Sequence, residues 1–188
     1  MTLEELHEEL SYVTASRENR LKYANMVLND MSLFPKLIDV LFMVDDKVSC
    51  HAAWVFEFVC KDYIYAIIPH LDKFTSNLHR LRFDSSIRAV AKICELIAKE
   101  NYSKENLTIK KFLTAKHKEQ IIENSFDWMI NKRAIAVKVH AMSTLFFLGR
   151  DNDWVHPELK QILERDFQIQ SSGFKARARH ILKKLKAA

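Results

Sequence analysis

The chain has 188 residues, of which 48% are hydrophobic and 28% charged, with a formal net charge of +5. This length suffices for one well-buried domain, and the composition excludes an intrinsically disordered chain. The chain has only two glycines and three prolines, which is too few for the many tight turns of a β-rich fold. The sequence therefore predicts an all-α protein of long helices joined by polar loops.

Residues 1–30 predict two helices. Thr2 and Glu5 form a capping-box pattern at the start of the first helix, and SRENRLKYANMVLND places an apolar row along the second. The segment lacks the basic region and apolar core of a signal peptide. No apolar run in the chain approaches the ~18 residues that suggest a membrane span. We expect these helices to cap a helical array in a cytoplasmic protein that does not enter a membrane.

The cysteines are three in number, and they form no CxxC motif. If Cys50 and Cys60 share one helix, a rise of ~1.5 Å per residue places them about 15 Å apart, which is too far for a disulfide. We expect Cys50, Cys60 and Cys94 to be buried free thiols in a reducing, cytoplasmic compartment.

All three prolines occur in one local pattern, with leucine two residues later. The pairs are Pro35 with Leu37, Pro69 with Leu71, and Pro157 with Leu159. Because proline is favoured in the first turn of a helix, each pair predicts a helix start. A second helix follows each of these first helices. A further first helix without proline is predicted over residues 118–130.

The second helices share an apolar-basic-x-x-small or aromatic pattern in CHAAWVFEF, IRAVAKICE, VKVHAMSTL and FKARARHIL. Their basic residues are His51, Arg88, Lys138 and Lys175, spaced by 37, 50 and 37 residues. The middle spacing is 13 residues longer than the other two, and these additional residues fall in the polar stretch 101–115. The pattern predicts four helix pairs over residues 32–62, 63–100, 116–150 and 154–186, with an insertion loop over 101–115.

A period near 37 residues built from two helices is typical of a helical solenoid. The prolines and the apolar-basic runs resemble the HEAT and armadillo repeat families. That resemblance implies a single domain over 1–188, folded as a right-handed α-α superhelix of about four helix pairs plus two N-terminal helices. It also implies a non-enzymatic interaction module that binds a protein or peptide on its concave face, which the second helices line.

The basic residues of the second helices form the first candidate surface. His51, Arg88, Lys138 and Lys175 would lie in register and face an acidic peptide or a phosphate backbone. Lys92 extends this row, because residues 87–99 carry their polar side chains on one narrow stripe: Arg88, Lys92, Glu95 and Lys99. The alternative is that each basic residue holds the preceding turn through an acid, as Asp46 before His51 and Asp84 before Arg88 suggest.

The C-terminal stretch FKARARHILKKLKAA is the second candidate. It carries six cations and no acid follows Asp166 in the sequence. The cations are Lys175, Arg177, Arg179, Lys183, Lys184 and Lys186. They could bind nucleic acid or an acidic partner, or they could be the solvated cap of the last repeat.

No catalytic residue, cofactor or metal ligand set is predicted. The chain has no HExxH motif, no His/Cys cluster at ligand spacing and no glycine-rich phosphate loop. His140 and Ser143 are one turn apart, but no orienting acid accompanies them in the sequence. An enzyme is therefore disfavoured.

Two further resemblances concern enzymes. The chain is similar to small bacterial all-helical proteins that sometimes carry the label adenylosuccinate lyase. SSGFKARAR keeps Ser171 and Ser172 of the flexible lyase loop but lacks its Met-Pro and Asn. HEAT-like folds also include DNA glycosylases, which need an acid and aromatic residues around a flipped base. Residues 127–128 and 153–154, both Asp-Trp, supply these residue types without a matching pattern.

Overall fold

The computed structural model describes residues 1–105 and 107–186, which contain eleven α-helices and no β-strand. The helices are α1 (Leu3–Ser11), α2 (Arg17–Asn29), α3 (Phe34–Leu41), α4 (Val48–Asp62), α5 (Leu71–Ser76), α6 (Asp84–Asn101), α7 (Thr108–Phe112), α8 (Ala115–Ile130), α9 (Ile135–Leu148), α10 (Val155–Asp166) and α11 (Ser172–Lys186). The predicted all-α fold is confirmed. Over the described residues, no helix combines the length and the apolar character that crossing a membrane requires.

Local caps start several of these helices. At α1, the Glu5 amide donates to Thr2 Oγ1 and the Thr2 amide donates to Glu5 Oε2 at 2.7 Å, so the predicted capping box is confirmed. Pro35 lies in the first turn of α3, and Pro157 is the third residue of α10. At these two positions proline opens a helix as its missing N–H predicts.

Two predicted elements differ from the structure. Pro69 lies inside a 3-10 helix, Ile64–His70, and the α-helix begins only at Leu71. Proline disfavours the α conformation in the residue before it, which delays the regular helix. The predicted loop 101–115 contains α7, which is anchored by the fully buried Ile109.

The chain divides into two compact units, Met1–Ile93 and a second that begins at Cys94, so the boundary falls within α6. In the first unit, α4 packs against α1, α2 and α3. In the second unit, α9 packs against α8, α10 and α11, while α10 and α11 also contact each other. In each unit the second helix of a predicted pair is therefore the central packing element. The assignment of residues 1–188 to one domain stays a prediction.

The three cysteines differ in exposure. Cys60 and Cys94 are buried, and burial raises the pKa of both thiols far above the ordinary value. Cys50 is only half-buried and its sulfur accepts a hydrogen bond from Ser86 Oγ at 3.3 Å. The prediction of three buried thiols is therefore confirmed for two of them.

This difference predicts selective thiol labelling. The thiolate is the reactive form of cysteine, so we expect Ellman's reagent at pH 8 to modify only Cys50 in the folded protein. All three thiols should react after unfolding in guanidinium chloride. The Cys50→Ser variant should lack the folded-state reaction. Rapid modification of two or more thiols in the folded wild-type protein would contradict the described burial.

Candidate binding surface

A buried carboxylate on α6 forms the centre of a polar cluster in the second unit. Glu95 is 1% exposed. His140 Nδ1 on α9 lies 2.6 Å from Glu95 Oε2, and Lys99 Nζ lies 2.7 Å from Oε1. Arg177 Nη1 on α11 lies 3.9 Å from the same Oε1. One carboxylate thus joins side chains from three helices.

Ser143 completes the cluster without forming a nucleophile. Its Oγ accepts a hydrogen bond from Arg177 Nη1 at 3.2 Å and donates to the Val139 carbonyl at 3.0 Å. The expectation that no acid orients His140 is wrong, because Glu95 does so from 45 residues away. The Ser143 hydroxyl proton, however, is directed at a backbone carbonyl. Glu95, His140 and Ser143 therefore do not form a catalytic triad.

The cluster has a surplus of positive charge. Two cations, Lys99 and Arg177, lie around the carboxylate of Glu95, and their side chains remain 43% and 38% exposed. A cation that is half-exposed and shares its counter-ion retains a favourable field for a further anion. The solvent side of this cluster is therefore electrostatically suited to an acidic ligand.

A surface depression of about 440 Å³ lies beside the cluster. Val139 of α9 and Gly173, Ala176, Arg177 and His180 of α11 line it. The absence of a side chain at Gly173 and the small methyl group of Ala176 leave room for an extended chain to approach α11 closely. Arg177 belongs to both the depression and the Glu95 cluster.

In the first unit, the predicted binding residues His51 and Arg88 each contact a polar group of that same unit. Glu57 on α4 is mostly buried, with Arg88 Nη2 of α6 at 3.9 Å from its Oε2. His51 Nδ1 lies 2.9 Å from the Leu10 carbonyl and 5.2 Å, ring to ring, from Trp54. Glu57 on α4 thus lies close to Arg88 on the next second helix, α6. In the same way, Glu95 on α6 lies close to His140 on α9.

The predicted turn acid Asp46 has a different role. It accepts hydrogen bonds from the Val48 amide and from His7 on α1, and these bonds lower the pKa of its carboxyl group. His51 instead bonds to the carbonyl of Leu10. In this turn, the acid therefore holds α1 against the α3–α4 connection rather than holding the basic residue that follows it.

The other sequence-predicted binding residues divide by exposure. Lys138 is buried, and Lys92 and Lys175 are half-buried. The remaining α11 cations are exposed: Arg179, Lys183, Lys184 and Lys186. The second helices therefore carry a mixture of buried and exposed basic side chains, and the exposed ones concentrate on α11.

A family model described as the HEAT repeat domain matches residues 6–185. The chain belongs to the HEAT repeat family. No curated protein and no solved structure gives a match. The match spans all four predicted helix pairs, so the HEAT-like helical repeat class is confirmed. HEAT repeats commonly mediate protein interactions.

The lyase-like stretch has a structural role in this HEAT repeat protein. Ser171 Oγ accepts a hydrogen bond from the Phe174 amide at 3.4 Å, and α11 begins at Ser172. The two serines therefore mark a helix start, as serine commonly does. In the part of the chain that the structure describes, no group of three or more His, Cys, Asp or Glu side chains could hold a metal ion.

A larger depression in the HEAT repeat protein, about 670 Å³, lies elsewhere, over the α3–α4 turn. Its acids are engaged within the first unit, Asp45 by Arg82 and Asp46 by His7. The smaller depression beside Arg177 joins a buried charge cluster to an open surface. We therefore take the α9–α11 surface, defined as Val139, Gly173, Ala176, Arg177 and His180, as the candidate site.

Sequence reasoning missed two parts of this site. The sequence pattern places Glu95 on the narrow polar stripe of residues 87–99, and its near-complete burial shows that the stripe is partly covered. The sequence places His140 and Ser143 one turn apart, but it does not show the acid that orients His140. The sequence did contain one signal for the buried acid. Glu57 follows His51 by six residues and Glu95 follows Arg88 by seven, so these two second helices carry an acid at nearly the same position.

Proposed function

We propose that this protein is a non-enzymatic HEAT-type interaction module that binds an acidic segment of another protein on the α9–α11 surface. The observation that carries the proposal is the surplus of cations around Glu95 beside an open depression. In helical repeat arrays the second helices commonly line the concave binding face, and α9 and α11 are second helices of their pairs.

The chemistry of the depression favours a peptide. Val139 offers an apolar contact, while Gly173 and Ala176 allow close approach of a main chain. Arg177 and His180 can donate hydrogen bonds to a carboxylate, and Arg177 is already oriented by Ser143. A ligand that combines an acid with a small apolar side chain would match all of these groups. Its association should weaken with salt, as electrostatically assisted binding does.

We expect random twelve-residue peptides selected by mRNA display on the immobilised protein to be enriched in Asp and Glu. Ala176→Glu adds a negative charge to the α9–α11 surface at an exposed position, so binding of the selected peptides should fall about tenfold or more. Ala115→Glu is the matched control. It makes the same substitution at an exposed site in the first turn of α8, and it should leave binding within about twofold.

Two results of this selection would contradict the proposal. One is the absence of enrichment for acidic peptides. The other is equal binding of the selected peptides to the Ala176→Glu and Ala115→Glu variants. Fluorescence anisotropy with the labelled peptides at physiological salt provides the affinities for this comparison.

Nucleic acid is a second candidate ligand because the positive charge is concentrated in one part of the chain. Residues 94–188 contain 18 Lys and Arg against 11 Asp and Glu, a net charge of +7. Anisotropy with labelled single- and double-stranded DNA and RNA over a salt series tests this candidate. If nucleic acid binds, Lys183→Glu/Lys184→Glu/Lys186→Glu should reduce both the affinity and its salt slope.

The domain organisation, the cellular location and the absence of a cofactor are proposed from the sequence. We propose that residues 1–188 fold as one domain of repeats over 32–62, 63–100, 116–150 and 154–186. We also propose a cytoplasmic location, because three free cysteines suit a reducing compartment. We expect the module to act without a cofactor or metal.

A further inference from the structure

We infer that this protein associates with further copies of itself, the basic groove of one copy binding the acidic face of α1 of the next. The basic groove is defined as the depression formed by Phe167, Leu182 and the cations Arg179, Lys183 and Lys186. The inference does not depend on the proposed peptide site, since the groove uses other residues of α11.

The basic groove has an apolar floor and a charged rim. It lies between the end of α10 and α11, and its volume is about 500 Å³. Phe167 and Leu182 are half-buried at its floor, and the Arg179 guanidinium lies 5.7 Å from the centroid of the Phe167 ring. The rim contains three cations and one acid, Glu164. The groove therefore suits a ligand that is both acidic and apolar.

The exposed face of α1 has the complementary chemistry. Leu6 and Leu10 are fully buried, so α1 already uses its apolar side within its own unit. Its outer side carries Glu5, Glu8 and Glu9, which line a depression of about 380 Å³ together with Met1 and Tyr12. Met1 is 48% exposed and Tyr12 is 62% exposed. This acidic face thus offers carboxylates to the rim cations and the large apolar side chain of Tyr12 to the floor.

The mixed character of the groove favours a protein ligand over nucleic acid. A phosphate backbone would pair with the rim cations but would place nothing apolar on Phe167 and Leu182. A second copy supplies both kinds of group from α1 and the residue that follows it, Tyr12. Because the two surfaces are different patches of the same chain, the contact is heterologous and extends into an open series of copies unless the rotation closes a ring.

The association should be weak and salt-sensitive. Both depressions are small, and interfaces of low area are typical of transient contacts. We expect sedimentation velocity of the nuclease-treated protein to show a weight-average mass that rises above the 22.1 kDa monomer as the concentration increases. The rise should occur between about 10 μM and about 1 mM at low salt and should be abolished at about 0.5 M salt.

Charge reversal tests the pairing directly. Lys183→Glu/Lys186→Glu makes the groove acidic, and Glu8→Lys/Glu9→Lys makes the α1 face basic; all four positions are exposed. Each double variant alone should remain monomeric, because each now opposes like charges. A 1:1 mixture should associate again, since every groove then meets an α1 face of opposite charge. This rescue also shows that both variants are folded.

Lys116→Glu/Lys160→Glu is the matched control, because it makes the same charge change at exposed positions outside the groove. It should associate like the wild-type protein. The inference is overturned if the wild-type protein stays monomeric over the whole range, or if the reversed variants associate unchanged. It is also overturned if their mixture fails to associate, or if association requires added nucleic acid.

Discussion

Gly149→Ala should lower the free energy of unfolding by about 3 kcal/mol, because inserting a methyl group into a filled site forces its neighbours apart. A Cβ at this position would lie 2.2 Å from His156 Cδ2 and 2.5 Å from His156 Nε2. It would also lie 2.9 Å from the Leu145 carbonyl oxygen. The imidazole cannot move freely, since Nε2 lies 2.9 Å from the Phe146 carbonyl and the ring stacks on the Phe146 ring.

Gly173→Ala is the control for this prediction. A Cβ there would meet its nearest heavy atom, Ile135 Cγ2, at 3.7 Å, which is an ordinary contact. Gly173 lies in the first turn of α11, so alanine should change the free energy of unfolding by less than about 1 kcal/mol, in the stabilising direction. Urea denaturation followed by circular dichroism measures both variants. Equal stability of the two variants would show that the α9–α10 turn is not closely packed.

Glu95→Gln should lower the free energy of unfolding by about 2 kcal/mol, because it removes the buried carboxylate that balances the Lys99 and Arg177 cations. The amide can retain one hydrogen bond, but it leaves Lys99 and Arg177 facing each other without a negative charge. His140 also loses the acid that orients its ring. The same variant should leave the described helices in place, since Lys99, His140 and Arg177 are each partly exposed and can turn toward solvent.

Glu57→Gln makes the same carboxylate-to-amide change in the first unit and serves as the comparison for Glu95→Gln. Glu57 is also mostly buried, but the Arg88 guanidinium lies 3.9 Å away, beyond hydrogen-bond distance. Among the described residues, its Oε2 has no hydrogen-bond partner. We therefore expect Glu57→Gln to change the free energy of unfolding by less than about 1 kcal/mol. Chemical denaturation of both variants makes the comparison, and a larger effect at Glu57 would contradict the central role of the Glu95 cluster.

Features that depend on neighbouring residues were predictable from the sequence. The capping box at Thr2, the proline starts at Pro35 and Pro157, and the apolar side of α11 all follow from local rules. Phe174, Ala178 and Ile181 are buried as the helical period predicts. Pro69 shows the limit of these rules, because the same Pro-x-Leu pattern there lies in a 3-10 helix.

Features that depend on distant residues were not predictable from the sequence. The burial of Glu95 requires α9 and α11, which supply His140 and Arg177 from 45 and 82 residues away. Trp154, directly before α10, is 55% exposed, and its ring stacks on that of Phe126 in α8 with the ring centroids 5.4 Å apart. Gly149 caps the C-terminal end of α9, a position where glycine often adopts a positive φ. Its φ is −65°, so the close approach of His156 explains the glycine.

The measurement that tests the binding site most directly is a 1H–15N NMR titration of the labelled protein with the most enriched acidic peptide. Binding on the α9–α11 surface predicts amide shift changes centred on Val139, Gly173, Ala176 and His180, with a side-chain shift at Arg177. These changes should be absent in Ala176→Glu and retained in Ala115→Glu. Shift changes centred on another surface, or none at saturating peptide, would contradict the account.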